Sequence, residues 1–193
     1  IGVRDENTKL LMEKVADINV NIVCDPVFLL SKNDYGLWIK DISEKKYIFL
    51  YLFEKLSDVQ ISELKFFANE KDLRIINGAS PEKPEFCDEV IINSPFIFLS
   101  YIFHAAYVVT DTFHGTAFSI HFDKNFCVID RGKKKVEDLL IRMNFTDRVV
   151  RKDGDIVPVV DSKLADRRDV IEKFRKSSLE YLKKALETED AAI

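Results

Sequence analysis

The sequence lacks several features that would each indicate a common functional class. Basic residues are not in excess: 29 Lys and Arg stand against 33 Asp and Glu, a net charge of −4. This excludes the electrostatic surface typical of nucleic-acid binding. The chain has only three cysteines, Cys24, Cys87 and Cys127, and none lies in a CxxC pair. Few and scattered cysteines predict reduced thiols in a cytoplasmic protein, with no disulfide framework and no zinc site.

A long hydrophobic run is also missing. The longest apolar stretch, residues 96–109, is interrupted by Ser100 and His104 and is too short to cross a bilayer. We therefore expect no integral membrane segment. Neither a signal peptide nor an initiator Met opens the chain, which begins with the strand-like residues Ile1 to Val3. We expect a domain cut from a longer protein, with an N-terminal domain absent.

The remaining composition indicates one folded domain over residues 1–193. Glycine is scarce, with 6 residues, whereas 15 phenylalanines and 47% apolar residues can fill a sizeable core. Strand-like and helix-like segments alternate, and the apolar run at 47–53 is typical of a strand covered on both faces. This predicts an α/β fold with a Rossmann-like, doubly wound, mostly parallel sheet, completed by a long terminal helix within 162–188. The predicted strands are 1–3, 20–24, 46–53, 74–76, 90–92, 107–110 and 126–129, and the predicted helices are 10–15, 57–68, 94–106, 113–122, 136–143 and 166–186.

The most informative segment is the strand–turn–helix at residues 107–122. In open α/β sheets, ligands bind at the carboxyl ends of the strands, and the N–H groups and dipole of the following helix favour an anion there. Gly115 would let a ligand approach the backbone closely, and His114 could donate a proton or bind a phosphate oxygen. The alternative is that Asp111 and Thr112 merely cap the helix and His114 is an ordinary loop residue. The polar residues crowding this turn are Thr110, Asp111, Thr112, His114, Gly115 and Thr116.

Two arginines follow other predicted strands. Arg4 comes directly after the first strand and Arg131 after the strand at 126–129, so we expect both at the same sheet edge as His114. Arginine grips phosphate and carboxylate through two parallel hydrogen bonds, which favours an anionic ligand. Surface ion pairs are the alternative for either arginine alone. The run Lys133 to Lys135 could strengthen the same field, but a solvated loop is the preferred interpretation.

The histidines do not indicate a metal site. His114 and His121 lie seven residues apart and could share a helix face, but two histidines without a third ligand make a poor zinc site. His121 stands in an apolar helix beside Phe122, and His104 reads as the polar end of a buried helix. We therefore expect no bound metal.

Several segments, in order along the chain, resemble the polysaccharide pyruvyl transferase family. The turn described above closely follows the family signature VvTDSFHGTxFS, and the other segments resemble the family's SVRE, DPTLLL, GPeeFL and LL…gLxdR blocks. Coverage runs from residue 1 to about 150. The matching segments are IGVRDE at 1–6, CDPVFLL at 24–30, SPFIFL at 94–99, VVTDTFHGTAFS at 108–119, DLL at 138–140 and DR at 147–148.

The resemblance implies a fold, a reaction and a site. The chain would be the C-terminal, Rossmann-like half of a glycosyltransferase-B-like enzyme. That enzyme would transfer the pyruvyl group of phosphoenolpyruvate to two hydroxyls of a sugar or lipid-linked glycan, forming a ketal in exopolysaccharide, capsule or cell-wall synthesis. Phosphoenolpyruvate would be the donor substrate, with no further cofactor, and the work would take place in the cytoplasm or at the inner membrane face.

By resemblance, His114 is the candidate general acid or phosphate ligand, and Arg4 and Arg131 clamp the donor's anionic groups. Thr112, Gly115 and Thr116 would offer hydroxyl and backbone donors, whereas Asp111 would orient His114 or cap the helix. The sequence departs from the family pattern at Thr112, where some members have Arg, at Ser94, where Gly is usual, and in a short segment after Arg131.

Two alternatives from other classes remain. The same architecture hosts glycosyltransferases that use nucleotide-sugar donors, although no convincing ribose- or base-binding acidic residue is present. A non-catalytic domain that binds an anion, a sugar or a partner protein would also fit. The sequence does not indicate the acceptor sugar, the linkage or the oligomeric state.

Overall fold

The computed structural model of the protein describes residues 1–42, 46–79, 83–91 and 94–190. Within these ranges, six strands form one sheet in which every pairing is parallel, and two short strands form a separate parallel pair. The pair is β1 (Gly2–Val3) with β2 (Asn21–Ile22). The large sheet contains β3 (Tyr47–Tyr51), β4 (Arg74–Asn77), β5 (Glu89–Val90), β6 (Tyr107–Thr110), β7 (Asn125–Ile129) and β8 (Val149–Val150).

Helices connect the strands and cover both faces of the large sheet. Short 3₁₀ segments lie at Pro26–Phe28 and Thr146–Arg148. The α-helices are α1 (Glu6–Val15), α2 (Lys32–Gly36), α3 (Asp58–Glu70), α4 (Pro95–His104), α5 (Phe113–His121), α6 (Lys134–Arg142), α7 (Val157–Val160) and α8 (Arg168–Asp190). None of the helices in the described ranges is long and apolar enough to span a bilayer.

Two apolar layers enclose the sheet, as the continuous apolar run at 47–53 predicts. Alternate residues of β3 point to opposite faces: Tyr47 and Phe49 join one buried cluster, and Ile48 and Leu50 join the other. The first cluster packs under α4, α5, α6 and α8, and the second under α3 and α7. The prediction of a Rossmann-like, doubly wound sheet is therefore confirmed.

The helix starts follow from local sequence. Ser57 accepts a hydrogen bond from the N–H of Gln60, whose side chain bonds back to the Ser57 N–H, which is the predicted capping box. Ser94 caps α4 ahead of Pro95, also as predicted. These caps fix the residues at which α3 and α4 begin.

Three helices end without glycine. Asp72, Asp123 and Asn144 follow the C-caps of α3, α5 and α6 in the left-handed region, with φ of 51°, 52° and 61°. In each, the next N–H closes back on the helix; the Leu73 N–H, for example, donates to the Ala68 carbonyl at 2.8 Å. Asp and Asn tolerate this conformation better than other non-glycine residues, which fits the scarcity of glycine.

The structure adds elements that the sequence pattern does not reveal. Helices α2 and α7 and strand β8 are too short to show a hydrophobic period. The predicted strand at 90–92 is observed as Glu89–Val90, and its last residue, Ile92, lies outside the described residues. The long terminal helix forms as predicted, and the Ser178 hydroxyl of α8 accepts the Cys24 N–H at 2.8 Å.

Candidate functional site

The strand order creates a crevice at one place on the carboxyl edge of the large sheet. The strands follow the order β5–β4–β3–β6–β7–β8, so the chain builds outward from β3 in one direction and from β6 in the other. The loops after β3 and β6 therefore diverge, and such a switch point is where open α/β sheets bind ligands. The signature segment around His114 lies there, because β6 ends at Thr110 and α5 begins at Phe113.

Asp111 fastens the two loops at this switch point together. Its buried carboxylate accepts hydrogen bonds from the N–H groups of Phe53 and Glu54, both at 3.0 Å. The expectation that Asp111 caps α5 is wrong, because Thr112 is the N-cap of this helix, whereas a role of Asp111 in orienting His114 stays a prediction. The Asp111 side chain holds the loop after β3 against the loop after β6.

Thr112, Gly115 and Thr116 shape the start of α5. Thr112 is the N-cap, and its hydroxyl accepts the Gly115 N–H at 2.9 Å. A β-carbon on Gly115 would overlap the Thr110 hydroxyl and lie 2.7 Å from that of Thr112, so close packing within the protein requires glycine here. The approach of a ligand to its backbone stays a prediction. The Thr116 hydroxyl is fully buried and donates to the Thr112 carbonyl at 2.8 Å. A contact of Thr116 with a ligand stays a prediction, and its hydroxyl does not line the crevice.

His114 is the exposed polar side chain of this helix start. It is the second residue of α5 and lines a cavity of about 300 Å³ together with Tyr51, Phe53, Thr112, Phe113 and Lys133. The N–H groups of Phe113 and His114 have no carbonyl of their own helix to bond, because they belong to its first turn. Burial raises the pKa of the Tyr51 phenol further above its ordinary value, so the group is protonated at neutral pH and can donate a hydrogen bond.

Lys133 enters the site, although a solvated loop was the preferred interpretation of residues 133–135. Its ammonium donates to the Asp111 carbonyl at 2.9 Å, lies 3.6 Å from the Asp111 carboxylate and sits 5.9 Å from the centre of the Phe53 ring. Lys134 and Lys135 begin α6 and are exposed. The sequence carries no signal that separates Lys133 from its two neighbours, because the distinction arises from the direction of the chain after β7.

Arg131 supports the crevice from inside. Its side chain is only 4% exposed, and its Nη2 donates to the Lys55 carbonyl at 2.9 Å. Its Nε lies 3.6 Å from the Glu54 carboxylate and 3.8 Å from that of Asp111. The guanidinium is thus engaged with the loop after β3, and a direct clamp on an anion stays a prediction.

Arg4 reaches the site from a different sheet. The expectation that Arg4, Arg131 and His114 share one sheet edge is wrong for Arg4, because β1 pairs only with β2. The Arg4 guanidinium nevertheless lies 5.5 Å from the centre of the Phe113 ring and forms an ion pair with the buried carboxylate of Asp25. Its side chain remains 45% exposed, and the Phe113 ring that it contacts lines the same cavity as His114.

The second histidine of α5 is distant from this chemistry. His121 is buried at the far end of the helix among aromatic rings, with the Tyr35 ring centre at 5.1 Å. Burial lowers its pKa to about 4, so the ring is neutral at pH 7. The interpretation of His121 as a core residue is confirmed. Across the described ranges, no group of three or more His, Cys, Asp or Glu side chains could hold a metal ion.

Comparison with known proteins identifies a family for this chain. No curated protein matches the chain. A family model, polysaccharide pyruvyl transferase, matches residues 1–133 of the 193, from β1 through the signature turn to Lys133. A match over more than half of the sequence identifies the family, and the chain therefore belongs to the polysaccharide pyruvyl transferases.

Proposed function

We propose that this protein transfers the pyruvyl group of phosphoenolpyruvate to two hydroxyls of a sugar, forming a cyclic ketal and releasing phosphate. Family membership supports a transferase with a sugar acceptor. The observation that carries the choice of donor is the exposed His114 at the start of α5. Lys133 lines the same cavity, and the Arg4 guanidinium lies 5.5 Å from the ring centre of the neighbouring Phe113. A cation-flanked helix start with an acid–base side chain suits a phosphorylated, carboxylated donor.

The donor has a phosphate, a carboxylate and a methylene carbon that must gain a proton. The phosphate would lie against the N–H groups of Phe113 and His114, where the helix dipole favours negative charge. Lys133 and Arg4 would contact the anionic groups, and Lys133 would exchange its bond to the Asp111 carbonyl for one to the donor. His114, as imidazolium, would give the proton to the methylene carbon.

Protons and bonds balance over the two additions. Protonation turns the methylene into a methyl group and makes the neighbouring carbon electrophilic. The first sugar hydroxyl forms a C–O bond to that carbon and loses its proton to the surroundings. The second hydroxyl forms another C–O bond as the bond to the phosphate oxygen breaks, and its proton leaves with hydrogen phosphate. Phosphoenolpyruvate is thus its own activated donor, and the proposed reaction needs no further cofactor.

Asp111 and Arg131 act behind the donor. Asp111 is buried beside both Arg131 and Lys133, so its charge offsets part of theirs before the donor binds. Asp111 holds the backbone of Phe53 and Glu54, and Arg131 holds that of Lys55. A fixed loop keeps the hydrogen-bond donors of the site in place without rearrangement when the substrate binds. In this proposal both are positioning residues.

Calorimetric titration of phosphoenolpyruvate into four proteins tests the proposal. We expect saturable binding by the wild type, weakened about tenfold or more in His114→Ala and in Lys133→Ala, because each removes a charge-assisted contact. Lys135→Ala is the matched control, since it removes a neighbouring lysine that is exposed on α6; it should bind within about twofold of the wild type.

Two results would contradict the proposal. One is the absence of any saturable phosphoenolpyruvate binding, which would direct attention to nucleotide-sugar donors. The other is an equal loss in Lys133→Ala and Lys135→Ala, which would mean that only the general charge of the surface matters.

A further inference from the structure

A second cavity shares Phe53 with the cavity that His114 lines. It measures about 480 Å³ at the carboxyl ends of β3 and β4, and Phe53 lines both cavities. Its walls are largely apolar, with Leu50, Leu52 and Phe86 among them, and Glu54 also lines it. The carboxyl edge of the sheet therefore has a smaller and a larger compartment, and Phe53 contributes to the lining of both.

Phe53 presents an aromatic ring at a fixed position. Its side chain is 67% exposed, its ring centre lies 5.6 Å from that of Tyr51, and its N–H is held by the Asp111 carboxylate. Single exposed apolar side chains are common, and Phe66 on α3 is equally exposed at 69%. Phe53 differs in that its backbone is anchored and that its ring borders two cavities.

Charge differs between the two compartments. The smaller one has Lys133, the helix start of α5 and His114, which suit an anion. The larger one has the carboxylates of Glu54 and Asp58 at its rim, balanced by Lys55 and Lys83. A compartment with apolar walls, an aromatic face and carboxylate acceptors suits an uncharged molecule that carries hydroxyl donors.

Glu54 is placed to receive such a donor. Its side chain is 51% exposed, its carboxylate lies 3.6 Å from the Arg131 Nε, and its N–H is fixed by Asp111. The exposed part of this carboxylate can therefore accept a hydrogen bond from a sugar hydroxyl.

We propose that the larger cavity is the acceptor subsite, in which a neutral sugar ring stacks on Phe53 and a sugar hydroxyl donates to Glu54. The C–H face of a pyranose is weakly positive and complements the negative face of an aromatic ring. The sugar then occupies the compartment next to the donor, across a shared wall. This inference rests on the proposed function for the donor in the smaller cavity, but the sugar binding itself does not require that donor.

Saturation-transfer NMR with the methyl glycosides of glucose, galactose and mannose tests the subsite on the protein described here. We expect at least one of these probes to bind the wild type, to lose about tenfold in affinity in Phe53→Ala, and to lose about threefold or more in Glu54→Gln. Phe66→Ala removes an equally exposed ring from α3 and should leave the affinity within about twofold. Circular dichroism confirms that each variant is folded.

Adding excess inorganic phosphate distinguishes sugar binding in the larger compartment from binding in the smaller one. We expect the sugar signals to persist, because phosphate would occupy the smaller cavity. The subsite is overturned if none of the three glycosides binds, if Phe53→Ala binds like the wild type, if Phe66→Ala loses as much as Phe53→Ala, or if phosphate displaces the sugar.

Failure of the donor proposal has a different signature. Sugar binding that depends on Phe53, without phosphoenolpyruvate binding by the wild type, would retain the subsite and remove the donor. Phosphoenolpyruvate binding that depends on His114, without sugar binding, would retain the donor and remove the subsite.

Discussion

Replacing Asp111 with asparagine tests whether this carboxylate holds the two loops of the crevice together. The side chain is fully buried and accepts two backbone hydrogen bonds at 3.0 Å, from Phe53 and Glu54. Asparagine has nearly the same shape, but only one of its two terminal atoms is an acceptor. One of the two N–H groups would therefore face an NH₂ group.

The expected loss in the free energy of unfolding is about 3 kcal/mol. A buried donor left without a partner costs about 1–3 kcal/mol, and a hydrogen bond to a charged group contributes about 1.5–3 kcal/mol. The lost charge also removes the partner of Arg131 at 3.8 Å and of Lys133 at 3.6 Å. Arg131 is buried, so its uncompensated charge adds to the cost, whereas the partly exposed Lys133 adds little.

Urea unfolding followed by circular dichroism measures this loss, and amide hydrogen exchange locates it. Asp130→Asn is the matched control, because Asp130 also follows a strand of the sheet but is exposed and accepts one N–H, that of Gly132 at 2.8 Å. It should cost less than about 1 kcal/mol. In Asp111→Asn, the amides of Phe53 and Glu54 should exchange faster than in the control.

Either of two results would contradict the role assigned to Asp111. If both variants unfold with free energies within about 1 kcal/mol of each other, the two bonds to Asp111 do not carry the stability assigned to them. If the Phe53 and Glu54 amides keep their protection in Asp111→Asn, the loop after β3 is held by other contacts.

Three further changes have expected outcomes in urea unfolding. Arg148→Met should lower the free energy of unfolding by about 3 kcal/mol, because its buried guanidinium donates to three carbonyls at 2.7–3.2 Å. Arg151→Met, the control, changes an exposed residue and should cost little. Similar losses in both variants would contradict the importance of these hydrogen bonds. The pKa of His121 is about 4 in the folded chain and about 6.5 in the unfolded chain, so the unfolded chain binds more protons between these values and stability falls on acidification through that range. His121→Phe should therefore remove about 2–3 kcal/mol of the stability that the wild type loses between pH 7 and pH 4.5. An unchanged dependence of stability on pH would disprove this. Gly115→Ala should cost about 1–3 kcal/mol of stability, because the new methyl group overlaps the Thr110 hydroxyl. Gly36→Ala, the control, should cost nothing, because its new methyl group meets no atom within 4 Å. Equal effects of the two changes would show that the overlap at Gly115 is not costly.

Local sequence patterns predict the fold well where interactions between residues close in sequence determine the structure. The strand at 107–110 and the helix that follows it begin where the sequence indicates, because a buried β-branched run meets a Thr cap. The same holds for the capping box at Ser57 and for the buried run of β3. These features depend on residues that are close in sequence.

The site is less predictable, because its contacts join residues that are distant in sequence. Asp111 bonds to residues 57 and 58 positions before it, and no spacing rule links them. Lys133 resembles its two neighbours in sequence but alone turns back onto the Asp111 carbonyl. Arg4 follows a strand as predicted, yet that strand belongs to another sheet, because strand pairing depends on the whole topology.

The strand order also bears on how the protein folds. Strands β3 to β5 and strands β6 to β8 each succeed one another through a single crossover, so each half of the sheet closes by contacts that are comparatively local. Within the sheet, the pairing of β3 with β6 joins the two halves. Phe53 and Glu54 come from one half, and His114 and Lys133 come from the other, so the crevice exists only after the halves have docked. A ligand in it would bind the docked form alone and, by mass action, would shift the equilibrium towards the docked halves.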